Sequence, residues 1–181
     1  MEFMECVTKR RSIRSFTAEK VEEAVLRRVV QAASYAPSWK NSQTVRYIAI
    51  EQKELLEEIA QHCVMDFEYN KRTIRNAPAL ILVTTVANRA GYERDGSFST
   101  SKGTHWESFD AGVATMALCL AAQEQGLGTV VMGIFDEEKT DEAVGIPVGQ
   151  KLSAMVAIGY PDEQPIMPKR KSVDELLTVI K

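Results

Sequence analysis

The sequence predicts a layered α/β or mixed α+β domain in which strands alternate with helices. Three observations carry this. Ala79 to Val86 is a continuous, partly β-branched apolar run, as expected of a strand buried on both faces and therefore central in its sheet. Trp106 to Gln125 is the most strongly helical stretch, with Phe109, Val113, Met116, Ala117, Leu120 and Ala121 on one side and the small residues Ala111, Gly112, Ala114 and Ala122 permitting close approach of a further element. Shorter strand-like runs, Tyr47–Ile50, Thr129–Met132 and Leu152–Ile158, are separated by helical patterns.

Taken in order, Thr17 is placed to cap a helix whose apolar positions Val21, Val25, Val29, Ala32 and Ala36 recur at helical spacing, stopped by Pro37. A polar loop, residues 38–46, leads into the first strand. A second helix carries Leu55, Leu56, Ile59, Ala60 and Cys63 on one face. After the central strand, residues 88–104 are rich in Gly, Ser, Thr and charge; a segment this long serves as a lid or binding loop, or is a mobile surface loop. Gly126 and Gly128 end the long helix. Asp136 is an N-cap for a short helix with Glu137 and Glu138 in its first turn, ended by Gly145 and Pro147. Ser172 and Glu175 form a capping box opening a last short helix. No repeat or linker interrupts the 181 residues, which read as one domain, residues 1–181.

Composition narrows the function. Apolar residues make up 45% and charged residues 26%, ordinary for a soluble protein, and a formal net charge of −3 gives no general attraction to nucleic acid or anionic membranes. The N-terminus lacks the apolar core of a signal peptide, and no apolar run is long enough to span a bilayer. Cys6, Cys63 and Cys119 are scattered and odd in number, and His62 and Cys63 are adjacent, so they point about 100° apart on a helix and cannot chelate together. The reading is a cytoplasmic protein with reduced thiols and no metal site.

Three segments are candidates for chemistry. Lys9-Arg10-Arg11-Ser12-Ile13-Arg14 puts four cations and a hydroxyl within six residues, either a solvated basic edge or a phosphate site, since guanidinium groups match phosphate oxygens two bonds at a time. Ala36-Pro37-Ser38-Trp39-Lys40-Asn41-Ser42-Gln43 is either a polar turn or a set of donors and acceptors for a heteroaromatic ring edge. Lys169-Arg170-Lys171 is a charge run near the chain end. The dinucleotide fingerprint, the phosphate loop and the G-x-S-x-G elbow are all absent. With two scattered histidines and no evident base, the chain reads as one that borrows reactivity from a cofactor.

These pieces, in order, resemble the nitroreductase family of FMN enzymes: Arg10 to Phe16, Ala36-Pro37-Ser38 with Asn41 and Gln43, Asn70-Lys71-Arg72 with Ala77-Pro78, Phe109-Asp110-Ala111-Gly112, Gly126-Leu127-Gly128, Met132 to Phe135, Gly145-Ile146-Pro147, Ile158 to Pro161, and Arg170-Lys171. The resemblance implies a three-layer α+β sandwich with a mixed, mainly antiparallel sheet flanked by helices, in an intertwined homodimer. It implies that Arg10, Ser12 and Arg170 hold the FMN phosphate and ribityl chain, with Arg11 and Lys169 as helpers. Arg14 would lie near the N1/O2 edge of the flavin, Asn70 would bond its pyrimidine edge, and the backbone of Met132 and Gly133 would face N5 and O4. Pro37, Ser38 and Asn41 would approach the flavin from the partner subunit. The implied reaction is ping-pong hydride transfer from NADH or NADPH through flavin N5 to a nitroaromatic, quinone or enone, with no obligatory catalytic side chain. Reductive dehalogenation, flavin reduction and a non-catalytic FMN carrier are the alternatives. The sequence departs from the family in Thr44-Val45-Arg46 after Gln43, in methionine at 132 where an acid is common, and in its short length, which implies a trimmed substrate-capping region.

Overall fold

A computed structural model describes residues 2–181. The chain opens with α1 (Phe3–Lys9), runs without helix to α2 (Glu23–Ala33), and makes a single 3-10 turn at Trp39–Asn41 before β1 (Val45–Ile50). Then come α3 (Lys53–His62), α4 (Glu68–Asn76), β2 (Ala79–Val86), the long α5 (His105–Glu124), β3 (Gly128–Met132), α6 (Glu137–Val144), β4 (Gln150–Gly159) and the short α7 (Val173–Leu176).

The strands form one sheet in the order β1-β2-β4-β3. Every residue of β2 from Ala79 to Thr85 is buried, and β2 lies inside the sheet, as its unbroken apolar run requires. Side chains alternate across it. Leu80 and Leu82 join Leu56, Ile59, Ile74 and Met155 in a core beneath α3, α4 and α6. Ile81 and Val83 join Leu26, Val29, Leu118 and Val156 beneath α2 and α5. Both faces are therefore covered, and the three-layer expectation holds. Complete burial of each such side chain contributes roughly 1.5–3 kcal/mol, so the two cores together outweigh any surface ion pair.

The expected mainly antiparallel sheet is found: all four strands pair antiparallel. β2 begins beside the end of β1, Ile50 facing Leu80, so α3 and α4 return the chain without the crossover that a parallel pair needs. The parallel element is an isolated bridge from Ser12 to Thr129.

Thr17 does not cap α2. Residues 17–22 are non-helical, with the Thr17 N–H donating to Tyr160 O, and the helix begins at Glu23 after Glu22 at the cap. Val21 still reaches the core, but from non-helical chain. The helix also ends at Ala33, short of Ala36. Asp136 caps α6 as predicted, accepting from the Lys139 N–H, and Ser172 and Glu175 form the capping box of α7. In α5 the buried face is Ala111, Ala114, Leu118, Cys119 and Ala122, whereas Phe109 and Met116 stand exposed with Gly112. Of the predicted apolar stripe, Phe109 and Met116 are thus turned outward, while Ala117 and Ala121 pack half-buried against the core.

Candidate functional site

The basic N-terminal segment is laid on the sheet edge by backbone bonds. Ile13 N–H donates to Thr129 O at 3.0 Å, and Ile13 itself is buried against Gly128. Because residues 10–12 run extended, alternate side chains leave on opposite sides. Arg10 and Ser12 enter a cavity of about 480 Å³ walled by Ser108, Ala111, Gly112 and Thr115 of α5 and by Thr129 and Val131 of β3. Arg11 turns the other way and donates to the carbonyls of Thr8 and Arg10 at 2.6 and 2.7 Å, closing the end of α1.

Arg10 Nε is buried and has no partner among the described residues. A guanidinium nitrogen withdrawn from water without an acceptor is destabilising by about 1–3 kcal/mol or more, so this position is suited to an anion supplied from outside the chain. Arg14 is exposed beyond the cavity, its backbone N–H bonded to the Glu163 carboxylate. That bond ties the N-terminal segment to the start of the C-terminal tail. Lys169 and Arg170 lie farther along this tail, exposed, and do not line the Arg10 cavity within one chain.

Asn70 is buried on α4 and its side-chain amide donates to Ile134 O at 3.0 Å, setting it against the segment that leaves β3. Met132 is buried and Gly133 exposed, with open space where a side chain would stand. The neighbouring Lys71 is buried and reaches Asp66 at 2.8 Å and Glu68 at 3.5 Å. Its ammonium holds the Asp66 carboxyl below its ordinary range.

The loop after α2 lines a second cavity of about 680 Å³, with Pro37, Ser38 and Gln43 facing Leu26 and Val30 of α2, Tyr47 of β1, and Asp110 and Ala114 of α5. Lys40, Asn41 and Gln43 all sit at positive φ (46°, 53° and 47°), which non-glycine residues adopt only at a cost. Several contacts hold the loop in that shape. The Trp39 N–H donates to the Asp110 carboxylate at 2.9 Å, the Gln43 N–H to Ser38 Oγ at 2.9 Å, and Lys40 Nζ pairs with Glu93 at 3.1 Å. The Trp39 ring packs on Trp106 at 4.7 Å, and Trp106 on Phe109 at 5.5 Å.

Residues 88–104 are accordingly not free-standing. A Tyr92–Phe98 bridge closes them, Glu93 joins them to the Lys40 loop, and the buried Glu107 carboxylate accepts the Asn88 N–H. Asp110, which the sequence motif contains without an assigned role, anchors the 38–43 loop through the Trp39 N–H. It is 2% exposed, and burial pushes its carboxyl up, opposed by the Trp39 N–H. An acid inside an otherwise small and apolar helical stretch was the available signal.

With the geometry in place, comparison with known proteins gives a consistent result. The Nitroreductase family profile matches residues 7–160. A protein of Archaeoglobus fulgidus whose name couples NADH dehydrogenase with NAD(P)H nitroreductase is 26% identical over 167 residues, covering 90% of this chain and 87% of its own. Iodotyrosine deiodinase 1 of Mus musculus is 24% identical, covering 99% of this chain and 70% of its own. A nitroreductase family protein of Streptococcus pneumoniae shares the fold at a TM-score of 0.86, with 23% identity over 99% of this chain and 100% of that one. The chain belongs to the nitroreductase family, a family of oxidoreductase enzymes.

Proposed function

We propose that this protein is an FMN-dependent oxidoreductase that takes hydride from NADH or NADPH and delivers it to a small organic acceptor, a nitroaromatic, quinone or enone. It acts as a cytoplasmic homodimer, each chain one FMN-binding domain (residues 1–181), with FMN held where the subunits meet. The observation that carries the reading is Arg10, which lines a cavity together with Ser12 and whose Nε has no partner among the described residues. A phosphomonoester supplies the missing acceptor there, so the residues present fit the cofactor.

Arg10 and Ser12 hold the phosphate end, with Arg170 and Lys169 arriving from the tail and Arg11 adding positive potential from the α1 terminus. Arg14 stabilises negative charge at the pyrimidine edge of the ring. Asn70, fixed against Ile134 O, orients that edge, and the backbone of Met132 and Gly133 lines the ring where β3 ends. Bound FMN supplies two-electron chemistry, which this chain's side chains orient and shield from water rather than perform. Pro37, Ser38 and Asn41 serve the flavin of the other subunit. Support for the dimer comes from the exposed apolar residues Phe109, Met116 and Val131 beside the cavity and Ile166, Leu176, Val179 and Ile180 along the tail. Three buried, unbridged thiols suit a reducing compartment. Among the described residues no helix is long and apolar enough to cross a membrane.

The similarity to iodotyrosine deiodinase favours a second reaction on the same cofactor, reductive removal of a ring halogen. An acceptor panel containing nitroarenes, quinones and halophenols separates the two. The central test is the absorbance spectrum of purified protein: an oxidised flavin band is expected, and a colourless protein that does not take up added FMN overturns the reading. Arg10→Ala with Arg170→Ala is expected to strip the cofactor, because each charged contact to phosphate contributes about 1.5–3 kcal/mol.

A further inference from the structure

α5 is the common wall of both cavities. Its residues Ser108, Ala111, Gly112 and Thr115 face the chamber holding Arg10 and Ser12, while Asp110 and Ala114 face the chamber holding Pro37 and Ser38. About two turns of one helix therefore line this chain's own phosphate chamber and also fix, through the Asp110–Trp39 bond, the loop bearing Pro37, Ser38 and Asn41.

We propose that Asp110 is a positioning residue acting in trans: by holding the Trp39 N–H it fixes the strained 38–43 loop that completes the FMN site of the partner subunit. This rests on the FMN-dimer reading above. Three left-handed residues within four positions give the loop no intrinsic reason to keep its shape, so external anchors must determine it. Of those anchors, Lys40–Glu93 is exposed, and such a pair contributes little. The Ser38–Gln43 bond lies within the loop and cannot place it relative to the scaffold. The Trp39–Trp106 contact joins the loop to the first turn of α5 by a non-directional packing interaction. Asp110 is the buried, directional link from the body of α5 to the loop backbone.

The test is subunit complementation. Homodimers of Arg10→Ala and of Asp110→Ala are each expected to lose about tenfold or more of NAD(P)H-dependent acceptor reduction, the first through phosphate binding and the second through the loop. Mixed dimers, isolated by two different affinity tags, are then assayed. In such a dimer one site combines an intact Arg10 with an intact Asp110 loop from the other chain, and about half of wild-type turnover per dimer is expected. If Asp110 serves only its own subunit, both sites of the mixed dimer are damaged and no activity returns, which overturns the proposal.

Asp110→Asn keeps an oxygen for the Trp39 N–H and is expected within about threefold of wild type; a loss as large as in Asp110→Ala overturns the hydrogen-bond role. If Asp110→Ala does not fold, Trp39→Pro, which deletes the donor, replaces it, with Trp39→Ala as control for loss of the ring; Ser38 already has the extended conformation that precedes proline. The proposal requires Trp39→Pro to complement Arg10→Ala and to lose more activity than Trp39→Ala; failure of either overturns it. A wild-type protein without flavin defeats the functional reading and this one together. A yellow wild-type dimer whose variants do not complement defeats only the role of Asp110.

Discussion

Gly128 lies so close to Ile13 that a Cβ added at Gly128 would stand 2.6 Å from Ile13 Cγ1 and 2.7 Å from Ile13 Cβ. The contact seats the extended basic segment on β3, with the Ile13–Thr129 backbone bond one residue away. Gly128→Ala must therefore push Ile13, and with it Arg10 and Ser12, off the sheet edge. The expected cost is about 1–3 kcal/mol of stability, read as a lower melting temperature, together with weaker FMN retention. Unchanged melting and cofactor content would show that the segment is held by other contacts.

Asp136 does two jobs at the start of α6. Its side chain accepts the Lys139 N–H, and its own N–H donates to Cys63 O, joining α6 to the end of α3. Asp136→Ala removes only the first, and the expected loss in chemical denaturation is about 1 kcal/mol. Asp136→Asn, which still caps, is expected to recover most of it.

Stability is expected to fall on the alkaline side. Burial pushes the thiols of Cys6, Cys63 and Cys119 up, and pushes the Tyr47 phenol from 10.0 up to about 12. Each group keeps its proton in the folded chain at a pH where the unfolded chain has released it. The unfolded state is then favoured progressively, first above the ordinary thiol pKa of 9.0 and again between pH 10 and about 12. Thermal melts across that range check this, with Tyr47→Phe expected to flatten the upper portion; an equally steep decline in that variant would assign the loss to other groups. In the native protein at neutral pH, thiol reagents are expected to modify the three cysteines slowly, and rapidly after unfolding.

Removal of residues 172–181 deletes α7 and the exposed Val173, Leu176, Leu177, Val179 and Ile180. If the tail wraps the partner, dimer dissociation measured by sedimentation is expected to tighten at least tenfold in the intact protein relative to the truncated one. Equal dissociation constants would place the subunit contact elsewhere.

Much of the scaffold was legible in the sequence because its signals are local. The apolar run of β2, the Asp136 cap and the Ser172–Glu175 box each read directly into structure. α4 was not legible: Glu68 to Asn76 contains Ile74 as its one strongly apolar residue, and it buries Asn70, Lys71 and Thr73 instead. Thr17 misled because a capping residue needs a helix immediately after it, whereas tertiary bonding to Tyr160 keeps the chain non-helical there. In the basic segment the charge cluster was visible, but which arginine enters the cavity depends on the extended backbone that sends Arg10 and Ser12 one way and Arg11 the other. Asp110 escaped assignment because its partner is a backbone N–H 71 positions away, and no local pattern encodes that distance.

β1 stands at the border of the sheet, with β2 as its single strand neighbour. Its other margin leaves peptide N–H and C=O groups without a β-ladder, a template for any extended segment that meets it. Storage at high protein concentration is therefore expected to favour strand-to-strand association at this border, which light scattering over a dilution series checks.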